Sequence, residues 1–399
     1  MSATTRTSGF GPGDHQGGSR FHPRSADLRA LPRRAQSPIP SLDGIRAIAV
    51  SIVFFAHCGL EDFVPGGLGV TIFFVLSGYL ISTLMRMEHA STGTIRYRAF
   101  YLRRFLRLMP PLFIVVAATA LVSSLGVVAG DFSPGGLLAA LFYYGNYYLI
   151  AHDFHGMPAG LGVLWSLAVE EHYYVFYPPL AALLLRIGRA GLSATVLSLL
   201  GAAVLGWRCW LYLHGASENY LTMATDTRLD AILIGCLMAL WRNPWLDPVP
   251  APHRLRDFAV VAGCFAVLVV TLLDRGDAFR LTLRYTLQAL AIAPLIYLAV
   301  ARAQQAPFSW LSWRVVTWLG VVSYSIYLCH HVIALAVAQH WPQLGWLGTT
   351  LITAALTLAV AQAMRRWVEQ PCAALRRRLH RAPPSRAEDV RNLATAGAP

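Results

Sequence analysis

Eleven apolar runs follow one another along the chain, separated by short polar or basic stretches. They cover 44–60, 67–85, 110–129, 135–150, 165–185, 191–213, 228–241, 258–273, 281–301, 318–338 and 344–364. The pattern predicts an all-α, polytopic integral membrane protein. Several runs fall short of the about 20 residues of a full span, so the number of crossings needs a separate argument. Residues 1–38 are rich in Gly, Pro, Ser and Arg without an apolar run and read as a disordered basic tail, not a secretory signal peptide. Residues 373–399, with Arg376-Arg377-Arg378, read as a second basic tail. The span 39–372 is then one membrane domain.

Arginine placement supplies the topology. With Arg33-Arg34 inside, the loop holding Glu61 and Asp62 goes outside, and the stretch with Arg86, Arg96, Arg98, Arg103, Arg104 and Arg107 returns inside. If every later run crossed, Arg186 and Arg189 would fall outside. If run 135–150 does not cross, then Arg186/Arg189, Arg242/Arg254/Arg256, Arg302/Arg314 and the C-terminal arginines all lie inside. That run holds Gly145-Asn146 amid tyrosines, a poor lipid-facing centre. The expectation is ten spanning helices, one re-entrant segment and both termini cytoplasmic.

Composition agrees. Of 399 residues, 56% are hydrophobic and 13% charged, too apolar for an ordinary soluble protein. The net charge is +13, carried by arginine with no lysine. These charges sit in tails and short loops and suit anionic lipid rather than nucleic acid. The six cysteines show no paired spacing and read as small buried apolar residues, though Cys58 and Cys329 border histidines.

Against that background, ionisable groups inside apolar runs stand out, because they are costly at membrane depth and mark function. Arg46 and His57 lie eleven residues apart, about three turns or 16 Å, and return to nearly one face. Run 165–185 opens with Trp165-Ser166 and carries Glu170-Glu171-His172; Ser166, Glu170, Tyr174 and Tyr177 share a face. Entering from opposite directions, His57 and Glu170 reach similar depth. A neutral imidazole oriented by a carboxylate suits general-base catalysis; a structural polar pair is the alternative. Asp226 and Asp230, four apart, read equally as a capped helix start or as ligands for acceptor hydroxyls. Of the adjacent His330 and His331, at most one is expected to face a site. Arg103, Arg104 and Arg107 read as a topology signal at the membrane surface or as a phosphate clamp, for which the planar guanidinium is suited. No metal-ligand spacing is present.

These motifs carry a resemblance. Ser41-Leu42-Asp43-Gly44-Ile45-Arg46-Ala47 with His57, then Gly69-Val70-Thr71-Ile72-Phe73-Phe74-Val75-Leu76-Ser77-Gly78-Tyr79-Leu80, resemble the opening of the membrane acyltransferase-3 family, which includes O-antigen, peptidoglycan and macrolide-sugar O-acyltransferases. The resemblance continues through Arg103-Arg104 to Pro110, Trp165-Ser166-Leu167 with Glu170, Asp226-Thr227-Arg228-Leu229-Asp230, Ser323-Tyr324-Ser325-Ile326-Tyr327-Leu328 and Glu369-Gln370-Pro371. It departs at Cys329-His330-His331-Val332, where the family often reads Trp-His-Trp-Pro, and at His172, where glutamine is common.

The resemblance implies acyl-CoA, commonly acetyl-CoA, as a cytoplasmic co-substrate and a sugar hydroxyl as acceptor, with no permanently bound cofactor. It implies His57 as the essential histidine, Arg46 as its paired basic residue and Arg104 and Arg107 as the arginine loop; with the reading of the residues, His57 and Glu170 are the catalytic candidates, and Arg46, Arg103, Arg104 and Arg107 the CoA-binding ones. Ser77, Tyr79, Trp165, Ser166, Asp226, Arg228, Asp230, Tyr324 and His330 are the substrate-binding candidates. The expected protein is a multi-pass O-acyltransferase of the inner or plasma membrane, partnered by acyl-CoA, a carbohydrate or glycoconjugate, and lipid. The rival is a transporter or flippase using the same intramembrane charges. It predicts internal repeat symmetry, which the sequence lacks.

Overall fold

A computed structural model describes residues 39–60 and 63–380. The tail 1–38, the loop carboxylates Glu61 and Asp62, and residues 381–399 lie outside the described residues. Every apolar run is helical, and no β-strand occurs among the described residues. Helix α1 (Pro40–Ala56) starts on a proline, whose missing N–H costs nothing in a first turn. Helix α2 (Gly66–Thr92) stops at Gly93, which takes the left-handed conformation (φ 73°) that glycine accepts most readily.

Helix α3 (Tyr97–Ser124) begins well before the apolar run at 110–129, so the arginine stretch is helix rather than loop. Run 135–150 splits into α4 (Pro134–Leu141) and α5 (Gly145–Ala151), of 8 and 7 residues. Neither is long enough to cross a hydrocarbon core. The break between them holds Tyr143 at φ 57°.

Next come α6 (Trp165–Ile187), α7 (Ala190–Leu213), α8 (Glu218–Met223), α9 (Thr225–Trp241), α10 (Arg254–Leu273), α11 (Asp277–Leu281) and α12 (Leu283–Ala301). Helices α13 (Arg314–Val321) and α14 (Ser323–His340) meet at 69°. Helix α15 (Gly345–Met364) continues through one π-helical stretch (Arg365–Glu369) into α16 (Gln370–His380). That last helix packs on α3, so the domain edge expected at 372 falls inside an ordered element.

By length and composition six helical segments among the described residues can cross a membrane: α2, α3, α7, α10, α12 and the rod Pro342–Arg378; α13 with α14 makes a seventh. The expectation of ten also needs α1 and α9, at 17 residues each, and α6, which carries Glu170 and Glu171. Helices α1 and α9 bury most of their residues in the bundle, whereas α6 buries the face that carries Ser166 and Tyr174 and exposes Val175, Phe176 and Leu183. Helices α7 and α10 lie outside it, with only 17% of their apolar windows buried.

A glycine seam joins α2 to α9. A methyl on Gly78 would overlap the carbonyl oxygen of Ile232, and one on Gly235 would overlap that of Val75. Small residues allow such close helix approach in membranes.

Two buried ion pairs lock the same region. Arg86 reaches Asp247 and the carbonyl of Ala239. Arg86 therefore belongs to the interior and not, as its sequence position suggests, to a cytoplasmic loop. Arg208 pairs with Asp230 at 3.0 Å, and both side chains are fully buried.

Candidate active site: a charged cleft below a histidine cluster

A cleft opens between α1, α2, α3, α6 and α14, with Tyr143 from the α4–α5 break in its wall. Its polar lining is Arg46, Ser77, Arg107, Ser166, Glu170, Glu171, Tyr174 and Tyr324, set among Val70, Phe73, Phe74 and Tyr327.

The one-turn spacing on α6 aims Ser166, Glu170 and Tyr174 into it. The Glu170 carboxylate accepts from Ser77 Oγ at 3.1 Å and from Tyr174 OH at 3.0 Å. Arg46 and Arg107 are its cationic neighbours. Arg46 also pairs with Asp43, one turn back, at 3.3 Å.

The arginines of α3 divide their tasks. Arg107 lines the cleft. Arg104 lies over the faces of Phe100 and Tyr174, with centroid distances of 5.8 and 5.7 Å, and has Glu171 for an electrostatic neighbour. Arg103 is tied to Glu88 at 2.7 Å. The sequence reading missed Arg376 on α16, whose charged neighbours are Arg103, Arg107 and Arg377. It belongs to a segment read as a tail, and only the packing of α16 on α3 reveals it.

His57 caps the C-terminus of α1. Its Nδ1 lies 2.9 Å from the carbonyl of Val53 and 3.3 Å from Nε2 of His330. The ring of His331 is also close, at 4.5 Å between centroids. Both adjacent histidines thus meet His57, against the expectation of at most one. Being at the helix end, His57 sits where α14 can flank it with two successive residues.

Glu170 has Ser77 and Tyr174 as hydrogen-bond partners and Arg46 and Arg107 as charged neighbours, whereas the expected pairing was with His57. Two observations relate the cleft to the histidines. Arg46 faces Ser323–Tyr327 of α14 across the cleft, and His57 meets His330 and His331 farther along the same helix. Tyr327, in the cleft wall, takes or gives a hydrogen bond to Ser166 at 2.6 Å, and its ring lies 5.8 Å from that of His330.

Several expected substrate contacts are structural instead. Tyr79 is buried and donates to Asn243 at 3.0 Å, next to the Arg86–Asp247 pair. Asp230 is enclosed with Arg208 and Thr286. Arg228 is buried under aromatic rings, 3.6 Å from the centroid of Tyr285 and 5.6 Å from that of Trp165. Trp165 itself packs edge-on to Phe74 outside the cleft lining. Asp226 stands apart from Asp230 and accepts from Tyr147, Trp207 and Tyr220. Burial and the Asp226 charge push the Tyr220 phenol up to about 12, so it remains a donor. Tyr324 lines the cleft and donates to the carbonyl of Leu108 at 2.7 Å. Among the described residues no group of His, Cys, Asp and Glu could hold a metal, and the six cysteines are unpaired.

Residues 39–366 match the family profile described as "Acyltransferase domain" of the acyltransferase-3 family, most of the chain. The chain belongs to the acyltransferase-3 family. It is 29% identical over 368 residues to the peptidoglycan O-acetyltransferase OatA of Listeria monocytogenes, covering 86% of this chain and 57% of that protein. It is 32% identical to the putative peptidoglycan O-acetyltransferase YrhL of Bacillus subtilis, covering 84% and 54%. A putative O-acetyltransferase of Staphylococcus aureus is 31% identical over 84% of this chain and 57% of its own length. The chain thus spans little more than half the length of these curated relatives. No solved structure matches it. Within this acyltransferase-3 chain, Arg46, Arg107, Glu170 and Glu171 line one cleft, and His57, His330 and His331 cluster farther along α1 and α14.

Proposed function

We propose that the protein is an integral-membrane O-acyltransferase that moves an acyl group, most simply acetyl, from acyl-CoA to a hydroxyl of a carbohydrate or glycoconjugate. The observation that carries this reading is the cleft lined by Arg46 and Arg107 between α1 and α14, with His57 and His330 farther along the same two helices. Its basic end suits the CoA phosphates. A guanidinium–phosphate contact is a charge-assisted bond of about 1.5–3 kcal/mol, and Arg107 with Arg46 and Arg376 offers several. The aromatic and aliphatic walls suit the pantetheine arm. The far end suits chemistry on the thioester. O-acetyltransferase relatives support the acyl group and, through peptidoglycan, a sugar acceptor.

In the reaction, Nε2 of His57 takes the proton from the acceptor hydroxyl. The oxygen bonds to the acyl carbon, the carbon–sulfur bond breaks, and the departing thiolate takes the proton back from Nε2. Acyl-CoA arrives and CoA leaves, so nothing stays bound between turnovers. The reading includes ten crossings with both termini cytoplasmic, in the plasma or inner membrane, which sets the arginines on the side where CoA is found.

Purified protein in proteoliposomes, given labelled acetyl-CoA and a glycan acceptor, should transfer label to ester. Unchanged acetyl-CoA alongside transport of a glycolipid would replace this reading with that of a flippase.

A further inference from the structure

We propose that His330 is a positioning residue that, together with the carbonyl of Val53, holds His57 in one tautomer and one ring orientation. The inference rests on His57 being the base of the proposed reaction. His330 is wholly buried. Its Nδ1 lies 2.9 Å from the carbonyl of Tyr327 and 3.1 Å from that of Ile326. A carbonyl oxygen only accepts, so His330 carries its hydrogen on Nδ1. Its Nε2 then presents a bare lone pair, and that atom faces Nδ1 of His57 at 3.3 Å.

One hydrogen must lie between the two nitrogens, and His330 does not supply it. The carbonyl of Val53, 2.9 Å from the same His57 nitrogen, makes the same demand. His57 therefore holds its hydrogen on Nδ1, shared between two acceptors, and its Nε2 is the basic atom. When Nε2 takes the proton from the acceptor hydroxyl, positive charge spreads to Nδ1–H, which already points at a carbonyl and a lone pair.

His331 meets His57 ring to ring, with centroids 4.5 Å apart. Cys58, the next residue along, is buried as well.

Two measurements on the full chain test the assignment. Protein with ¹⁵N-labelled histidine in lipid should show the His57 signal, identified by its loss in His57→Ala, with a protonated Nδ1 and an unprotonated Nε2. The opposite tautomer would overturn the proposal, and this result stands whether or not transfer is observed. Kinetically, His330→Leu removes the acceptor, whereas His330→Gln returns an oxygen near the lost Nε2. His330→Leu should lower kcat about tenfold or more, part of the about 10²–10⁴ that a positioned base contributes, with KM for acetyl-CoA unchanged. His330→Gln should recover most of that loss. Equal kcat in both variants, or a loss confined to KM, would assign His330 to packing alone. Full activity in His57→Ala would instead remove the reaction on which the inference rests.

Discussion

Ser77 on α2 donates to Glu170 on α6 across 3.1 Å, holding the carboxylate in the cleft that Arg46 and Arg107 line. A base-orienting carboxylate and a charge-balancing one differ in what their loss does. Glu170→Gln keeps acceptors for Ser77 and Tyr174 and removes only the charge. It should leave kcat within about tenfold of the parent, less than the about 10²–10⁴ tied to a general base, and shift KM for acyl-CoA through the altered balance with Arg46 and Arg107. Steady-state kinetics that show kcat collapsing with KM intact would return Glu170 to the catalytic step.

Arg107 lines the cleft, whereas Arg103 is already engaged by Glu88. Arg107→Ala should therefore raise KM for acetyl-CoA about 10- to 100-fold, the loss of one charge-assisted contact, with a smaller change in kcat. Arg103→Ala should cost much less. Isothermal titration with CoA at two salt concentrations reads both, and the wild-type affinity should fall as salt rises.

The Arg208–Asp230 pair is sealed away from the cleft, so its loss should act on stability. Asp230→Ala leaves a buried guanidinium uncompensated, a cost of about 3–5 kcal/mol. Thermal unfolding in detergent should show the drop. The protein that remains folded should bind acetyl-CoA as the parent does; a pure KM effect at full stability would place Asp230 in the binding site after all.

Much of this organisation is legible in the amino-acid sequence, because hydropathy and helix periodicity are local properties. Each apolar run is a helix, the run around Gly145-Asn146 is broken, and Ser166, Glu170 and Tyr174 face one way as their spacing requires. What the sequence leaves out is which helix lies opposite. Glu170 is at a plausible depth for His57, but Ser77 and Arg46 face it across the cleft. His330 and His331 diverge on their own helix, yet His57 stands at a helix end where both reach it. Arg86 reads as a loop cation because α2 outlasts its apolar run, and Arg376 reads as tail because nothing local announces that α16 packs on α3. Tyr79 and Asp230 sit in motifs that resemble a functional family signature, and their task in this fold is structural.

Close approach of α2 and α9 gives a further check on the fold. Gly78→Ala must push the added methyl against the Ile232 carbonyl. Overpacking of this sort costs about 1–3 kcal/mol. The expected result is a lower unfolding temperature in detergent, with an equivalent loss for Gly235→Ala, which meets Val75 from the other side. Unchanged unfolding in both variants would mean that the two helices are not in contact there.

The central claim is that a basic cleft delivers a thioester to His57. Single-turnover transfer from labelled acetyl-CoA by His57→Ala in proteoliposomes, with CoA affinity measured on the same preparation, tests it most directly. CoA affinity should stay close to wild type and transfer should fall by about 10² or more. Transfer at the wild-type rate would contradict it.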